Sequence, residues 1–269
     1  MTARRAARRS QLPAERQSPA GYSCFFDVDE TLVTVKTMAS FLEFYLAETS
    51  APSTSFTAAL AYVTAAGQHG RAAANRAYYR LFAGADADEV ARIGVRWFAA
   101  RNDQHLFNAP VVDALGRHLD DGARVVLVSG AFSAILTPVA AWCGATAVLC
   151  SVPEIDGGRY TGGSERTMIG EEKAHAVRSA AAETGHRLAG CWAYGDDLTD
   201  LAMLEAVGHP VVVQSPVEVH GNVELVAQAR RRGWHVLPAT TSRSHDGLRA
   251  AGDTGSAPAP AIASAPDGQ

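Results

Sequence analysis

Asp27 and Asp29 stand two residues apart, directly after the apolar run Cys24-Phe25-Phe26, so a buried strand there would carry both carboxylates to its carboxyl end. Further along come Ser129-Gly130 after the apolar run Val125 to Val128, Lys173 at the opening of a helical pattern, and Gly195-Asp196-Asp197 after another short apolar run. A phosphoryl group carries dispersed negative charge and a poor alkoxide leaving group, so its transfer needs a nucleophile, a proton donor and fixed positive charge. The chain offers one candidate for each. Asp27 is placed to attack phosphorus, and Asp29 to protonate the leaving oxygen and then deprotonate the water that cleaves the acyl phosphate. The Ser129 hydroxyl and Gly130 amide suit phosphate oxygens at a helix N-terminus, and Lys173 supplies a point charge beside the phosphate and Asp27. Mg²⁺ prefers octahedral oxygen ligands, and Asp27, the Asp29 backbone carbonyl and Asp196 make a reasonable set with the phosphate. Thr31, Asp197 and Asp200 are expected around those ligands, Asp200 orienting Lys173 or a metal-bound water.

Each signal has an ordinary counterpart. Asp at a strand-to-helix turn commonly caps free amides, Ser-Gly is a common turn, and a helix lysine is usually solvated. The four together, in this order and each at the edge of an expected strand or helix, favour catalysis over that combination of ordinary readings.

These groups need a scaffold that brings them together. Short β-rich runs alternate with helical patterns: Cys24 to Val28, Arg124 to Val128, Thr146 to Cys150, Cys191 to Tyr194, Val211 to Val213 and Trp234 to Leu237. The expectation is an α/β fold, a Rossmann-like, mainly parallel sheet with helices on both faces, whose ligands sit at the strands' carboxyl ends. Between the first two strands the pattern is helical only. Asp86 with Glu89 reads as a helix start followed by Val90, Ile93 and Trp97 on one face, Gly84 ends the preceding helix, and Pro110 suits the first turn of another. Residues 36–109 are therefore expected as an inserted helical cap, with 21–35 and 110–239 as the catalytic core. Asp156-Gly157-Gly158 marks a hairpin, expected as a flap. The ends, 1–20 and 240–269, lack apolar periodicity and are expected to be disordered tails, the first of them basic.

Composition narrows the function classes. At 269 residues and 47% apolar, the chain can bury a sizeable core. A formal charge of −4 gives no global basic field for nucleic acid. No run approaches the roughly 18 apolar residues that span a bilayer. The arginines at 4, 5, 8 and 9 precede no apolar stretch of an export signal, so the expectation is a cytoplasmic protein. Cys24, Cys143, Cys150 and Cys191 have no C-x-x-C spacing and read as reduced, structural thiols; no His/Cys cluster suggests zinc.

The set Asp27-Val28-Asp29-Glu30-Thr31, Ser129-Gly130, Lys173 and Gly195-Asp196-Asp197-Leu198-Thr199-Asp200 resembles the four ordered motifs of the haloacid dehalogenase superfamily. The inserted helices, and Val207 to Val213 followed by Gly233-Trp234, resemble its phosphoserine-phosphatase-like subgroup, subfamily IB. The resemblance implies Mg²⁺ and an aspartyl-phosphate intermediate. It departs at Glu30, where those phosphatases carry Ser, and at Val35-Lys36, where they carry acids that receive the substrate ammonium; a cation at Lys36 disfavours phosphoserine itself. Glu43, Arg76, Tyr79 and Arg80 are further candidates for cap contacts.

The expected function is a Mg²⁺-dependent phosphatase acting on a small, polar metabolite phosphomonoester, such as a sugar, cyclitol or amino-alcohol phosphate. The alternatives are phosphotransfer to an alcohol acceptor and a non-catalytic phosphate-binding or signalling module. A dehalogenase would leave Asp29 and Asp196 without employment.

Overall fold

The computed structural model describes residues 21–49, 55–102, 106–217, 219–239 and 261–262. Its strands are β1 (Ser23–Asp27), β2 (Arg124–Ser129), β3 (Ala147–Cys150), β4 (Val152–Asp156), β5 (Arg159–Arg166), β6 (Trp192–Gly195), β7 (His209–Gln214), β8 (His235–Pro238) and β9 (Ala261–Ile262). Its helices are α1 (Thr37–Glu48), α2 (Phe56–Gly67), α3 (Arg71–Arg80), α4 (Ala87–Arg101), α5 (Ala109–Asp120), α6 (Ser133–Cys143), α7 (Glu171–Glu183), α8 (Leu201–Glu205) and α9 (His220–Arg232). The main sheet is parallel in the order β8-β7-β6-β1-β2-β3-β9. The six strands expected from the apolar runs are all present. The pair Ala261–Ile262, expected within a disordered tail, instead adds a short edge strand beside β3; the basic stretch 1–20 and the rest of 240–269 lie outside the described residues.

The apolar strands follow from burial on both faces, which removes the polar alternation of a half-exposed sheet. Alternate residues still divide between two cores. Cys24 and Phe26 of β1 join Val125 and Leu127 of β2 against α4, α5 and α6, while Phe25, Val126 and Val128 join α7, α8 and α9 on the other face. Each phenylalanine buried this completely contributes about 1.5–3 kcal/mol.

Four helices, α1 to α4, lie between β1 and α5. Asp86 caps α4, its Oδ1 accepting the Glu89 amide at 3.0 Å, and Val90, Ile93 and Trp97 form its buried face. That face presses against α6 so closely that a Cβ at Gly94 would lie 1.8 Å from the Ala134 carbonyl oxygen. The insertion therefore shares its hydrophobic core with the body of the molecule. The hairpin of β4 and β5 turns at Gly157-Gly158 as expected. The flap is tied to the insertion: Gly84 N–H donates to the Tyr160 carbonyl (2.7 Å), Tyr160 N–H to Ala85 (3.0 Å) and Ala87 N–H to Gly158 (2.9 Å).

The order of strands places the site. From β1 the chain moves to β2 and β3 on one side, then returns to β6, β7 and β8 on the other. A crevice opens at such a reversal, at the carboxyl ends of β1 and its two neighbours. Asp27 ends β1, Ser129 ends β2, and Asp196 follows β6.

Candidate active site

Asp27 is buried at the mouth of β1, and its Oδ1 accepts a hydrogen bond from the Lys173 ammonium at 2.5 Å. Lys173 arrives from the first turn of α7 and donates equally to Asp200 Oδ1 at 2.6 Å. Asp200 then turns its other oxygen to the backbone, Oδ2 accepting the amides of Asp196 and Asp197, each at 3.1 Å. A loop of charge-assisted bonds thus joins β1, α7 and the turn after β6. Gly195 makes it possible, since a Cβ there would lie 2.7 Å from the Asp200 Cβ.

Asp27, Asp196 and Asp200 present carboxylate oxygens within 4.8 Å of one another, all buried. One ammonium, Lys173, pairs with two of these three carboxylates, Asp27 and Asp200. Burial and the neighbouring Asp200 charge push the Asp27 carboxyl up to about 7, against the opposing pull of Lys173. Burial, then Asp27 and Asp200, push Asp196 well above the ordinary carboxylate range. Lys173 is held protonated: its two carboxylate partners outweigh the burial that opposes its charge. A buried group of oxygen donors with negative charge in excess is the environment a hard divalent cation stabilises, so the residues present fit a metal. Asp27 and Asp196 are the better side-chain ligands, because the Asp200 carboxylate already accepts three hydrogen bonds.

The supports reach well beyond the four motifs. Thr31 Oγ1 donates to Asp196 Oδ1 at 2.8 Å. Asn222, in the first turn of α9, donates to the Asp196 carbonyl (2.6 Å) and the Val213 carbonyl (2.8 Å), and its Oδ1 accepts the Ser215 amide (2.9 Å). Asp197 caps the following turn through the Thr199 amide at 3.0 Å and meets Arg71 of α3 at 3.3 Å. Burial raises the Asp197 carboxyl, but the Thr199 amide and Arg71 bring it below its ordinary value.

Asp29 stands apart from this carboxylate group. Its Oδ1 accepts the hydroxyl (2.6 Å) and amide (3.2 Å) of Thr37, the first residue of α1. Burial raises its pKa and the Thr37 bonds oppose the rise. Between them the chain bends sharply: Glu30 holds φ at +59°, the only non-glycine with positive φ among the described residues.

Ser129 is buried, its Oγ accepting the Ala131 amide at 3.1 Å, which leaves the hydroxyl proton for an incoming oxygen. The Gly130 carbonyl is held by Asn75 Nδ2 (2.7 Å) and the Tyr79 hydroxyl (3.0 Å), both from α3. Of the expected cap contacts, Lys36 lines the cavity, whereas Tyr79 is buried beneath it and Glu43 pairs with Arg101 on the surface. Arg76 and Arg80 are exposed and do not line it. Thr37, Asn75 and Asn222 were missed in the sequence, and Tyr79, expected as a cap contact, instead holds the Gly130 carbonyl from beneath. Asn222 had no signal there, and the cap positions look like ordinary helix residues.

Over this floor lies a cavity of about 370 Å³, with α1, α2 and α3 as its opposite wall. Carboxylates and Lys173 form its floor, Lys36 and Arg71 stand among its lining, and the helices cover it.

Comparison with known proteins agrees with the geometry. The model of haloacid dehalogenase-like hydrolases matches residues 24–205, and the chain belongs to that family. It is 31% identical over 260 residues to a probable phosphatase of Mycobacterium tuberculosis, covering 85% of this chain and 82% of that protein. A Bordetella pertussis protein of unknown function superposes with a TM-score of 0.69 at 25% identity, covering 81% of this chain and 98% of that one. A phosphoserine phosphatase solved as a phospho-aspartyl intermediate analogue shares the fold, with TM-score 0.56, 16% identity, and 82% and 95% coverage.

Proposed function

We propose that this chain is a Mg²⁺-dependent phosphomonoesterase that works through an aspartyl-phosphate on Asp27. The observation that carries the reading is the buried Lys173 ammonium shared between Asp27 (2.5 Å) and Asp200 (2.6 Å), beside the Asp196 carboxylate. Asp27, Asp196 and the Asp29 backbone carbonyl would hold the metal. When bound, Mg²⁺ neutralises charge on the phosphoryl oxygens and on the floor of the site.

The side chains then divide the work. Lys173 holds Asp27 through Oδ1, so the carboxylate meets the phosphorus in one orientation. The Asp27 oxygen attacks, the bond to the leaving oxygen breaks, and Asp29 transfers its proton to that oxygen to release an alcohol. Asp29 next takes a proton from water, whose oxygen attacks the same phosphorus; inorganic phosphate leaves and Asp27 is restored. Burial favours the protonated Asp29 that the first step needs, and Thr37 keeps that carboxyl oriented. Ser129 Oγ, the Gly130 amide and Lys173 receive the non-bridging oxygens.

The test is phosphate release from a panel of phosphomonoesters, with Mg²⁺ and with EDTA, for wild type and Asp27→Asn. Turnover that needs Mg²⁺ and disappears in a folded Asp27→Asn is the expected result. Metal-independent turnover, or a fully active Asp27→Asn, overturns the mechanism.

A further inference from the structure

The cavity has two chemically different walls. Its floor is the carboxylate and lysine group, whereas Met38, Leu42, Leu60, Val63, Ala74 and Tyr78 form the facing surface on α1, α2 and α3. The Tyr78 hydroxyl is engaged with the Met38 carbonyl at 2.9 Å, so the polar end of that side chain is already bonded. The charges at the rim are also taken: Lys36 pairs with Glu30 at 3.5 Å, and Arg71 with Asp197 at 3.3 Å. Asn75 donates through Nδ2 to the Gly130 carbonyl, which leaves its buried Oδ1, without a partner among the described residues, as a lone acceptor at the inner edge of this wall beside Gly130. A sugar, a cyclitol or an amino acid would press hydroxyl or ammonium groups against this wall, and unmatched burial of such groups is costly.

The apolar character continues outward. From Phe56 to Gly67, α2 carries no charged residue, and Leu60 both lines the cavity and stays 38% exposed. A body that filled the inner wall could therefore extend past Leu60 towards solvent along α2, which carries no charge. At roughly 30 Å³ per water-sized group, 370 Å³ holds about a dozen non-hydrogen atoms, the phosphate included.

We propose that the α1–α3 wall is a leaving-group subsite for hydrocarbon, and that the substrate class is the phosphomonoester of an apolar alcohol with a chain of about seven carbons. This deepens the phosphomonoesterase reading and rests on it. It replaces the expectation of a polar metabolite: the cap side chains that face the phosphate site from α1, α2 and α3 are predominantly aliphatic or aromatic.

The test is a series of n-alkyl phosphates from ethyl to decyl, compared by kcat/KM with phosphoserine and glycerol phosphate in the presence of Mg²⁺. Burial of each methylene raises kcat/KM by up to about fourfold until the wall is covered. Leu60→Gln and Val63→Thr should each flatten that dependence on chain length. The matching n-alkylphosphonates, which carry no ester bond, are titrated into wild-type enzyme with Mg²⁺ by calorimetry, and their Kd should tighten along the series. A flat or falling series, or phosphoserine outperforming hexyl phosphate, overturns the subsite and leaves the phosphatase reading standing. No turnover of any ester together with chain-dependent phosphonate binding sinks the hydrolytic reading alone. Chain-independent phosphonate binding removes the subsite whatever the turnover.

Discussion

Lys173 Nζ lies 2.6 Å from Asp200 Oδ1, while the same carboxylate's other oxygen binds the amides of Asp196 and Asp197. Asp200 thereby sets both the cation that orients Asp27 and the backbone that carries Asp196. Removing one partner of a buried ion pair leaves the other charge uncompensated, at about 3–5 kcal/mol. Asp200→Ala should lose stability on that scale in urea denaturation and lose most phosphatase activity. Asp200→Asn, which keeps acceptor capacity for the amides, should recover much of the stability but little of kcat. Equal recovery of both would show that Asp200 acts on the fold alone.

A methyl group at position 195 would sit 2.7 Å from the Asp200 Cβ. Gly195→Ala should therefore push Asp200 aside and misplace Lys173. A displacement of about 1 Å in a positioned group lowers the rate on the order of 100-fold. The overpacking itself costs about 1–3 kcal/mol. Steady-state kinetics alongside thermal melts will separate the two effects; unchanged kcat in a destabilised protein would argue against the positioning role.

Excess negative charge in the carboxylate group predicts a metal response independent of turnover. Millimolar Mg²⁺ should raise the Tm, with stabilisation reaching about 2.7 kcal/mol at a hundredfold excess over Kd. Asp196→Asn removes one of the three clustered carboxylates. It should raise Tm without metal and abolish the Mg²⁺ increment. A wild-type melt indifferent to Mg²⁺ and EDTA would contradict the assigned site.

His118 offers a pH prediction away from the catalytic residues. Its ring bonds the hydroxyls of Tyr22 (3.1 Å) and Tyr194 (2.9 Å), and burial pushes its pKa down from 6.5 to about 4. The unfolded chain then binds the proton more readily than the folded one. The stability His118 contributes as a neutral ring is complete above about pH 6.5 and drains away as the pH falls towards 4. Urea midpoints across that window should decline more steeply for wild type than for His118→Gln. Parallel curves would rule His118 out as the source.

The strands were legible because the sheet is buried on both faces. That condition writes unbroken apolar runs such as Val125 to Val128 into the chain, and the helix start at Asp86 followed from the same local logic. Sequence order also pointed to Asp27, Ser129 and Asp196, because a parallel sheet carries such groups at strand ends, and to Lys173 at the opening of a helix. The supporting residues left no comparable trace. Asn75 and Thr37 are ordinary helix residues until α1 and α3 fold down over the crevice, and Asn222 gains its role only when α9 packs beside the turn after β6.

The sequence by itself determined the chemistry on offer and the scaffold that carries it, because residue type, apolar periodicity and motif order are local properties. Tertiary structure decided which groups meet. It turned Asp29 towards Thr37, drew Asp200 into the carboxylate group, and set an apolar wall opposite the phosphate floor. The wall joins α1, α2 and α3 to strand ends far away in the chain, Lys173 reaches Asp200 across 27 residues, and even Asp29 meets Thr37 only through the bend at Glu30, contacts that no spacing rule encodes.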